Sequence, residues 1–292
     1  MARVLMFVGK GGVGKTTLST ATALASRGKR LLISTDQAPS LSDLLSVDVR
    51  DRKVEVERGL WAMELSMSKV LEMWKEEFGE EVYQVARAVA DVDRGILDYI
   101  GTAPGIDEEF MLYFVMKEAR SGNYDFVVWD SAPAGHTFRL LRMPILFVDH
   151  LNRAAKLYAK LRKPLTEEGK RSILSIVESW KSLAEEIFSF LRGIEFVAVT
   201  IPERLGVEQL KRIKRDFEAE GLRIKLLIVN FVIKDTSCEF LRRRMESQRR
   251  YLEELRGLGL KVMELPMYST ELRGRNLLVK IGQEILERMS RT

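Results

Sequence analysis

A doubly wound, mainly parallel α/β sheet with a helical subdomain at one edge is the fold this sequence predicts, on three observations. The apolar run Arg3–Val8 leads straight into a glycine-rich loop and then a helical pattern. Short apolar runs of buried-strand length recur down the chain, several of them separated by helical patterns. The 292 residues, 46% apolar and 30% charged, suffice for one large domain with an inserted subdomain.

Arg3–Val8 reads as a buried strand because its apolar residues run on unbroken to a glycine. Thr16–Arg27, rich in Ala, Leu, Ser and Thr, reads as a helix stopped near Gly28. Arg30–Thr35 is the next strand, and strand, loop, helix and strand together make a βαβ unit with parallel pairing. Asp125–Trp129, Phe196–Thr200, Lys225–Val229 and Lys261–Leu265 follow as strands. Residues 66–121 and 143–192 break the rhythm and are predicted helical, a subdomain within a single domain spanning residues 1–292. Met67, Val70, Leu71, Trp74, Phe78, Val82, Val85 and Val89 share one helical face. Phe147, Leu151, Ala155, Tyr158 and Leu161 mark a second stripe, and Ile173, Val177, Trp180, Ala184, Ile187 and Leu191 a third. Between the last two, Arg162–Arg171 is predicted to be a polar loop holding Pro164 and Gly169.

The lone cysteine, Cys238, excludes an internal disulfide and a thiolate metal site within one chain, and suits a reducing compartment. Val4–Val8 is too short for a signal peptide, and no stretch approaches the ~20 apolar residues of a spanning helix. A cytoplasmic protein without stable membrane insertion is therefore expected. The net charge of +5 permits acidic partners without choosing among them. Arg242, Arg243, Arg244, Arg249 and Arg250 share a helical pattern with Glu239, Glu246, Glu253 and Glu254. That mixture predicts a salt-bridged surface and argues against a nucleic-acid face.

Gly9-Lys10-Gly11-Gly12-Val13-Gly14-Lys15-Thr16, followed by Thr17, matches G-x-x-x-x-G-K-[ST] in full, with a strand before and a helix after. Glycines let the backbone curl so that its N–H groups point at phosphate, and the new helix adds the positive end of its dipole. The motif predicts ATP with Mg²⁺, with Lys15 reaching the β and γ phosphates and Thr16 ligating the metal; the alternative is a bare glycine turn. The strand Asp125–Trp129 runs into Asp130, a carboxylate suited to hold Mg²⁺ through water. The following Ser131–Thr137 suits a loop that senses the γ-phosphate. Asp36, at the carboxyl end of the second strand, faces the ligand crevice and could orient or deprotonate the attacking water. The residues leave open that Asp36 or Ser40 merely caps the next helix.

The second loop lysine, Lys10, makes the pattern Lys-Gly-Gly-x-Gly-Lys-Thr-Thr, which resembles the deviant P-loop of the ParA, MinD, NifH and ArsA group. The segments Asp36–Asp43 and Asp130–Leu141 resemble the switch I and switch II motifs of the ArsA family, which contains arsenite-pump ATPases and ATPases that target tail-anchored membrane proteins. Pro104–Glu108, Val229-Asn230, Leu265-Pro266-Met267 and Glu271–Gly274 are similar to further family segments, so the resemblance spans nearly the whole chain. It implies a homodimer that closes on ATP and opens after hydrolysis, with Asp36 as general base and Lys10 reaching the partner's nucleotide. It also implies Asn230 and Pro266 at the adenine and Glu208 as another nucleotide contact.

Three departures from the family follow. Leu241 stands where the targeting ATPases carry the second cysteine of a zinc-binding Cys-x-x-Cys, so no zinc site is expected, and Cys238 is expected as a small apolar side chain on a helix. One cysteine also argues against thiolate binding of arsenite. The methionine-rich insertion of the targeting members is cut to the Arg162–Arg171 loop, leaving Met67, Met73, Met111, Met116 and Met143 either as a client groove or as core and dimer surface. The function expected is an ATPase that binds hydrophobic, tail-anchored membrane-protein clients. The alternatives are a pump-driving or regulatory ATPase docked on a membrane-protein receptor, and a positioning ATPase of the ParA and MinD kind.

Overall fold

Val4–Val8 form the heart of a central strand, β1 (Arg3–Gly9), buried on both faces. The structure, a computed structural model, describes residues 1–36, 40–89, 91–103, 105–131 and 167–291. The Phe147–Leu161 stripe, Met143, Pro104, Gln37–Pro39 and the residues of the Asp130–Leu141 segment from Ala132 on lie outside these.

From β1 the chain enters α1 (Lys15–Ala25), β2 (Arg30–Ser34), the short α2 (Leu41–Leu45), and then β3 (Val54–Glu57) and β4 (Leu60–Glu64). Next come α3 (Met67–Val89), α4 (Ile96–Gly101), α5 (Ile106–Arg120) and β5 (Phe126–Asp130). The remainder is α6 (Glu167–Arg192), β6 (Glu195–Thr200), α7 (Arg204–Ala219), β7 (Ile224–Val232), α8 (Glu239–Arg256), β8 (Val262–Pro266) and α9 (Arg275–Ser290). Among the described residues the sheet has eight strands in the order β3-β4-β2-β5-β1-β6-β7-β8. All its pairs are parallel except β3 with β4. The doubly wound α/β class predicted by the βαβ pattern is thus the fold. β1 lies between β5 and β6, so the loop after it opens where the strand order turns back, the usual ligand crevice of such sheets.

The β3–β4 hairpin, between the second strand and the first helical segment, goes beyond the strands the sequence predicts. Buried Arg30 ties it to β2: its guanidinium donates to the carbonyls of Ser26 at 2.8 Å and Arg58 at 2.9 Å, and pairs with Glu57 at 3.4 Å. The predicted loop Arg162–Arg171 is corrected over residues 167–171, which belong to α6, while 162–166 lie outside the described residues. A glycine near a helix start costs only about 1 kcal/mol against alanine, and the buried Ile173, Val177, Ala184, Ile187 and Leu191 further along outweigh it.

Two compact units emerge among the described residues: 1–65, 117–131 and 193–291 in one, 66–116 and 167–192 in the other. In the first, period-two alternation sorts the strand side chains: Leu5, Phe7, Leu32, Val128, Val197, Val199 and Ile228 join Leu18, Ala21, Leu24, Leu278, Ile281 and Ile285 of α1 and α9 in one core layer. α1 and α9 touch closely at Gly282, where an added Cβ would lie 2.0 Å from the Ala21 carbonyl oxygen. Gly282→Ala should therefore force the helix that carries the loop motif off its seat and cost about 1–3 kcal/mol or more. Denaturant unfolding checks this; an unchanged midpoint would mean the helices can part freely.

The helical unit packs Phe78 edge-on to Phe110 at 6.2 Å and to Tyr113 at 5.1 Å. The Trp180 indole donates to Glu81 at 2.6 Å, joining α6 to α3. Met111 and Met116 are buried as core, whereas Met67 is exposed. A cavity of ≈ 290 Å³ in this unit is walled by Trp74, Phe78, Val82, Val85, Phe110 and Ile187 among others. Glu109 also lines it, and burial pushes its carboxyl up to about 8. Among the described residues no helix is long and apolar enough to cross a membrane.

Candidate functional site

The loop after β1 turns into α1 through Gly14, whose φ of 95° is in the left-handed region where a side chain is strained. A Cβ there would also meet the Asn230 amide nitrogen at 2.6 Å. Gly14 is the N-cap, and among the described residues no side chain caps the helix or places an acid in its first turn. The N–H groups at a helix start of this kind, with the positive end of the dipole, favour an anion.

Lys15 opens α1 and is only 4% exposed. Its ammonium donates to the Lys10 carbonyl at 3.3 Å and stands 3.9 Å from Asp36 Oδ2. Burial pulls its pKa down, opposed by the charges of Asp130 and Asp36. Lys10, Gly11 and Gly12 are exposed along the loop, while Val13 is buried. Thr16 follows Lys15 and donates its hydroxyl to Asp130 Oδ2 at 2.8 Å; Ser34, at the end of β2, donates to the same oxygen at 3.1 Å. Asp130 is completely buried, and among the described residues its Oδ1 has no hydrogen-bond partner. Burial raises its carboxyl to about 6, against the opposing pull of Thr16, Lys15 and Ser34. β1, β2 and β5 therefore deliver Lys15, Thr16, Asp36 and Asp130 to one spot, as parallel neighbours with aligned carboxyl ends must.

Sequence reasoning missed Glu64. Its buried carboxylate accepts the Ser40 N–H at 2.9 Å, the Leu41 N–H at 3.0 Å and the Ser42 hydroxyl at 3.1 Å. The start of α2, just after Asp36, is thus capped from β4 and not by the Ser40 side chain, which makes no capping bond. The signal was an acid ending an unrecognised strand.

The loop motif also borders a cleft of ≈ 820 Å³, lined by Gly14, Thr16 and Thr17, by Ser40, Asp43 and Ser46, by Asn230 and Phe231, and by Met267–Gly274. Its size suits a ligand of several hundred daltons. The Asn230 amide donates to the Val13 carbonyl at 2.9 Å, and its oxygen accepts the Phe231 N–H at 2.9 Å. Pro266 pairs with Val232 at the end of β8, next to cleft-lining Met267. Glu208 is not brought to the cleft lining; it lies on α7 with its carboxylate 3.3 Å from Lys211. Cys238 sits exposed at the N-cap of α8, not within the helix as expected.

The chain is 32% identical over 289 residues to "Putative arsenical pump-driving ATPase 2" of Aquifex aeolicus, covering 93% of this chain and 95% of that one. It is 28% identical to "ATPase get3" of Pyrenophora tritici-repentis (96% and 89% covered) and 29% identical to "ATPase ASNA1 homolog" of Trypanosoma cruzi (96% and 89%). The family described as anion-transporting ATPase, ArsA, matches residues 2–287. A P-loop seated at the turn of a doubly wound sheet, and a family match over almost the full length, make this chain an ATPase of the ArsA family.

Proposed function

We propose that the chain is a Mg²⁺-dependent, homodimeric switch ATPase of the cytoplasm that captures apolar segments of membrane-protein clients, with the nucleotide on its sheet unit and the client on its helical unit. The observation that carries the reading is Asp130: a buried carboxylate with two hydroxyl donors on one oxygen and, among the described residues, no partner on the other. An orphaned anionic oxygen beside a threonine hydroxyl fits a divalent cation or its water. Thr16 and Asp130 would hold Mg²⁺, which when bound neutralises charge on the β and γ phosphates. Gly9–Thr17 wraps the phosphates with backbone N–H groups, and Lys15 supplies a desolvated cation to them. Asp36 orients and deprotonates the attacking water. Lys10, exposed on the loop, reaches the partner's nucleotide, and Asn230 and Pro266 border the base. Glu208 has no position in the cleft that supports a role.

The client half rests on the apolar cavity of the helical unit and on the family resemblance. Three arginines of the α8 cluster pair with acids, which favours a salt-bridged surface over a nucleic-acid face: Arg242 with Glu239 at 3.9 Å, Arg243 with Glu239 at 3.1 Å and Arg244 with Glu203 at 2.6 Å. The similarity to a putative arsenical pump-driving ATPase favours, as second reading, docking on a membrane protein. Co-production with a tail-anchor peptide separates the two. The expected result is a soluble complex that changes its peptide occupancy between ATP and ADP and is lost in the Val82→Asp/Val85→Asp variant. No capture, with ATP hydrolysis intact, would overturn the client reading and leave the docking one.

A further inference from the structure

The cleft contains a strained residue that no phosphate chemistry requires. Phe231 has φ 58°, and among the described residues it is the only large apolar side chain with positive φ. A bulky residue in that region is an outlier, a position that glycine fills more cheaply. The cause is a bulge: Val229 pairs with Glu264 and Val232 with Pro266, so β7 takes three steps where β8 takes two. Side chains hold the bulge on every side. Buried Gln248 of α8 donates to the Phe231 carbonyl at 3.0 Å and accepts the Ile233 N–H at 2.9 Å. Asn230 takes the Phe231 N–H and ties the same turn to the Val13 carbonyl of the loop. The result is a phenylalanine 40% exposed on a strand whose neighbouring positions, Asn230 and Val232, are buried. Phe231 lines the same cleft as Gly14, Thr16 and Thr17.

Backbone strain kept by such over-determined bonding points to function, and a half-exposed aromatic residue in the lining of a ligand cleft offers a π-face for a base to stack on. We infer that Phe231, held out by the Gln248-clamped bulge, is the stacking platform for the purine base of the nucleotide and a determinant of its selection. Stacking needs only a π-face, so it distinguishes a purine from a smaller pyrimidine by overlap and from a bare polyphosphate outright. This rests on the reading of the cleft as the nucleotide site.

Calorimetric binding of ATP, UTP and inorganic tripolyphosphate tests it, with Mg²⁺ present throughout. In Phe231→Gly, ATP affinity should fall about 10-fold, the preference for ATP over UTP should narrow, and tripolyphosphate affinity should stay as in the parent. The same variant, relieved of its positive φ, should melt a few degrees higher without nucleotide. Phe231→Leu keeps the strain but lacks the ring, and should weaken ATP similarly; Phe231→Trp should restore ATP affinity. Unchanged ATP affinity in both the Gly and Leu variants overturns the proposal, as does an equal loss for tripolyphosphate, which would mark a distorted loop. Parent protein that binds no ATP at all would overturn the site reading itself.

Discussion

Lys10→Ala and Asp36→Asn are each expected to lower ATP turnover by about 10²–10⁴-fold, and a 1:1 mixture of the two inactive variants to regain about a quarter of parental activity. On the proposed roles the losses would follow from removing a second cation that reaches the γ-phosphate and the carboxylate beside Lys15. The recovery would follow from a dimer in which Lys10 crosses to the partner's site. If Lys10 acts on the partner's nucleotide while Asp36 acts on its own, the mixed dimer keeps one complete site of two, and random exchange makes about half the dimers mixed. Steady-state phosphate release, measured before and after subunit exchange, reads the outcome. Full loss in each variant with no recovery on mixing would place both groups in one protomer's site. An undiminished Lys10→Ala enzyme would reduce Lys10 to a solvated loop residue.

Asp130→Asn should abolish Mg²⁺-dependent hydrolysis and at the same time change how stability responds to pH. The carboxyl keeps its proton up to about pH 6 when folded, whereas its ordinary value is 3.8. Folding thus takes up a proton between those values, so the group's contribution to stability falls as pH rises through the window and its full cost is present above pH 6. The stability advantage of the Asn variant over the parent should therefore shrink by on the order of 3 kcal/mol between pH 7 and pH 4. Denaturant unfolding without nucleotide measures it. The same protonation predicts that kcat/KM falls tenfold per pH unit below about 6, and that added Mg²⁺ moves the midpoint downward because the cation competes with the proton. A parental profile flat to pH 4.5 would mean Asp130 stays ionised and has another partner for Oδ1.

The two predictions share a physical theme. Lys15 and Asp130 are both buried charges whose pKa values move against the charged form. Neither is what a stability-optimised core would contain. Both fit the proposed site, where a metal ion and a polyphosphate would complete the charge balance. Glu64, by contrast, is buried but accepts from three donors, and serves the backbone that follows Asp36.

Much of this was determined by the sequence by itself. The loop Gly9–Thr17 could be placed because its chemistry is local: a strand, a glycine turn and a helix start are all written in contiguous residues. Asp36 and Asp130 were legible because each ends an apolar run, and parallel strands bring their carboxyl ends together. The Ile173–Leu191 stripe was legible because a helix repeats its face within a few residues. What the sequence withheld depends on residues far apart in the chain. The β3–β4 hairpin becomes a pair of strands only because β2 offers its edge and Arg30 its guanidinium. Glu64 becomes a cap only when β4 sets it against α2. The Phe231 bulge looks like plain strand in Ile224–Val232, since its positive φ comes from a register shift against β8 and a clamp by Gln248 in α8. Those are tertiary decisions, made by pairing and packing across tens of residues, and no local propensity announces them.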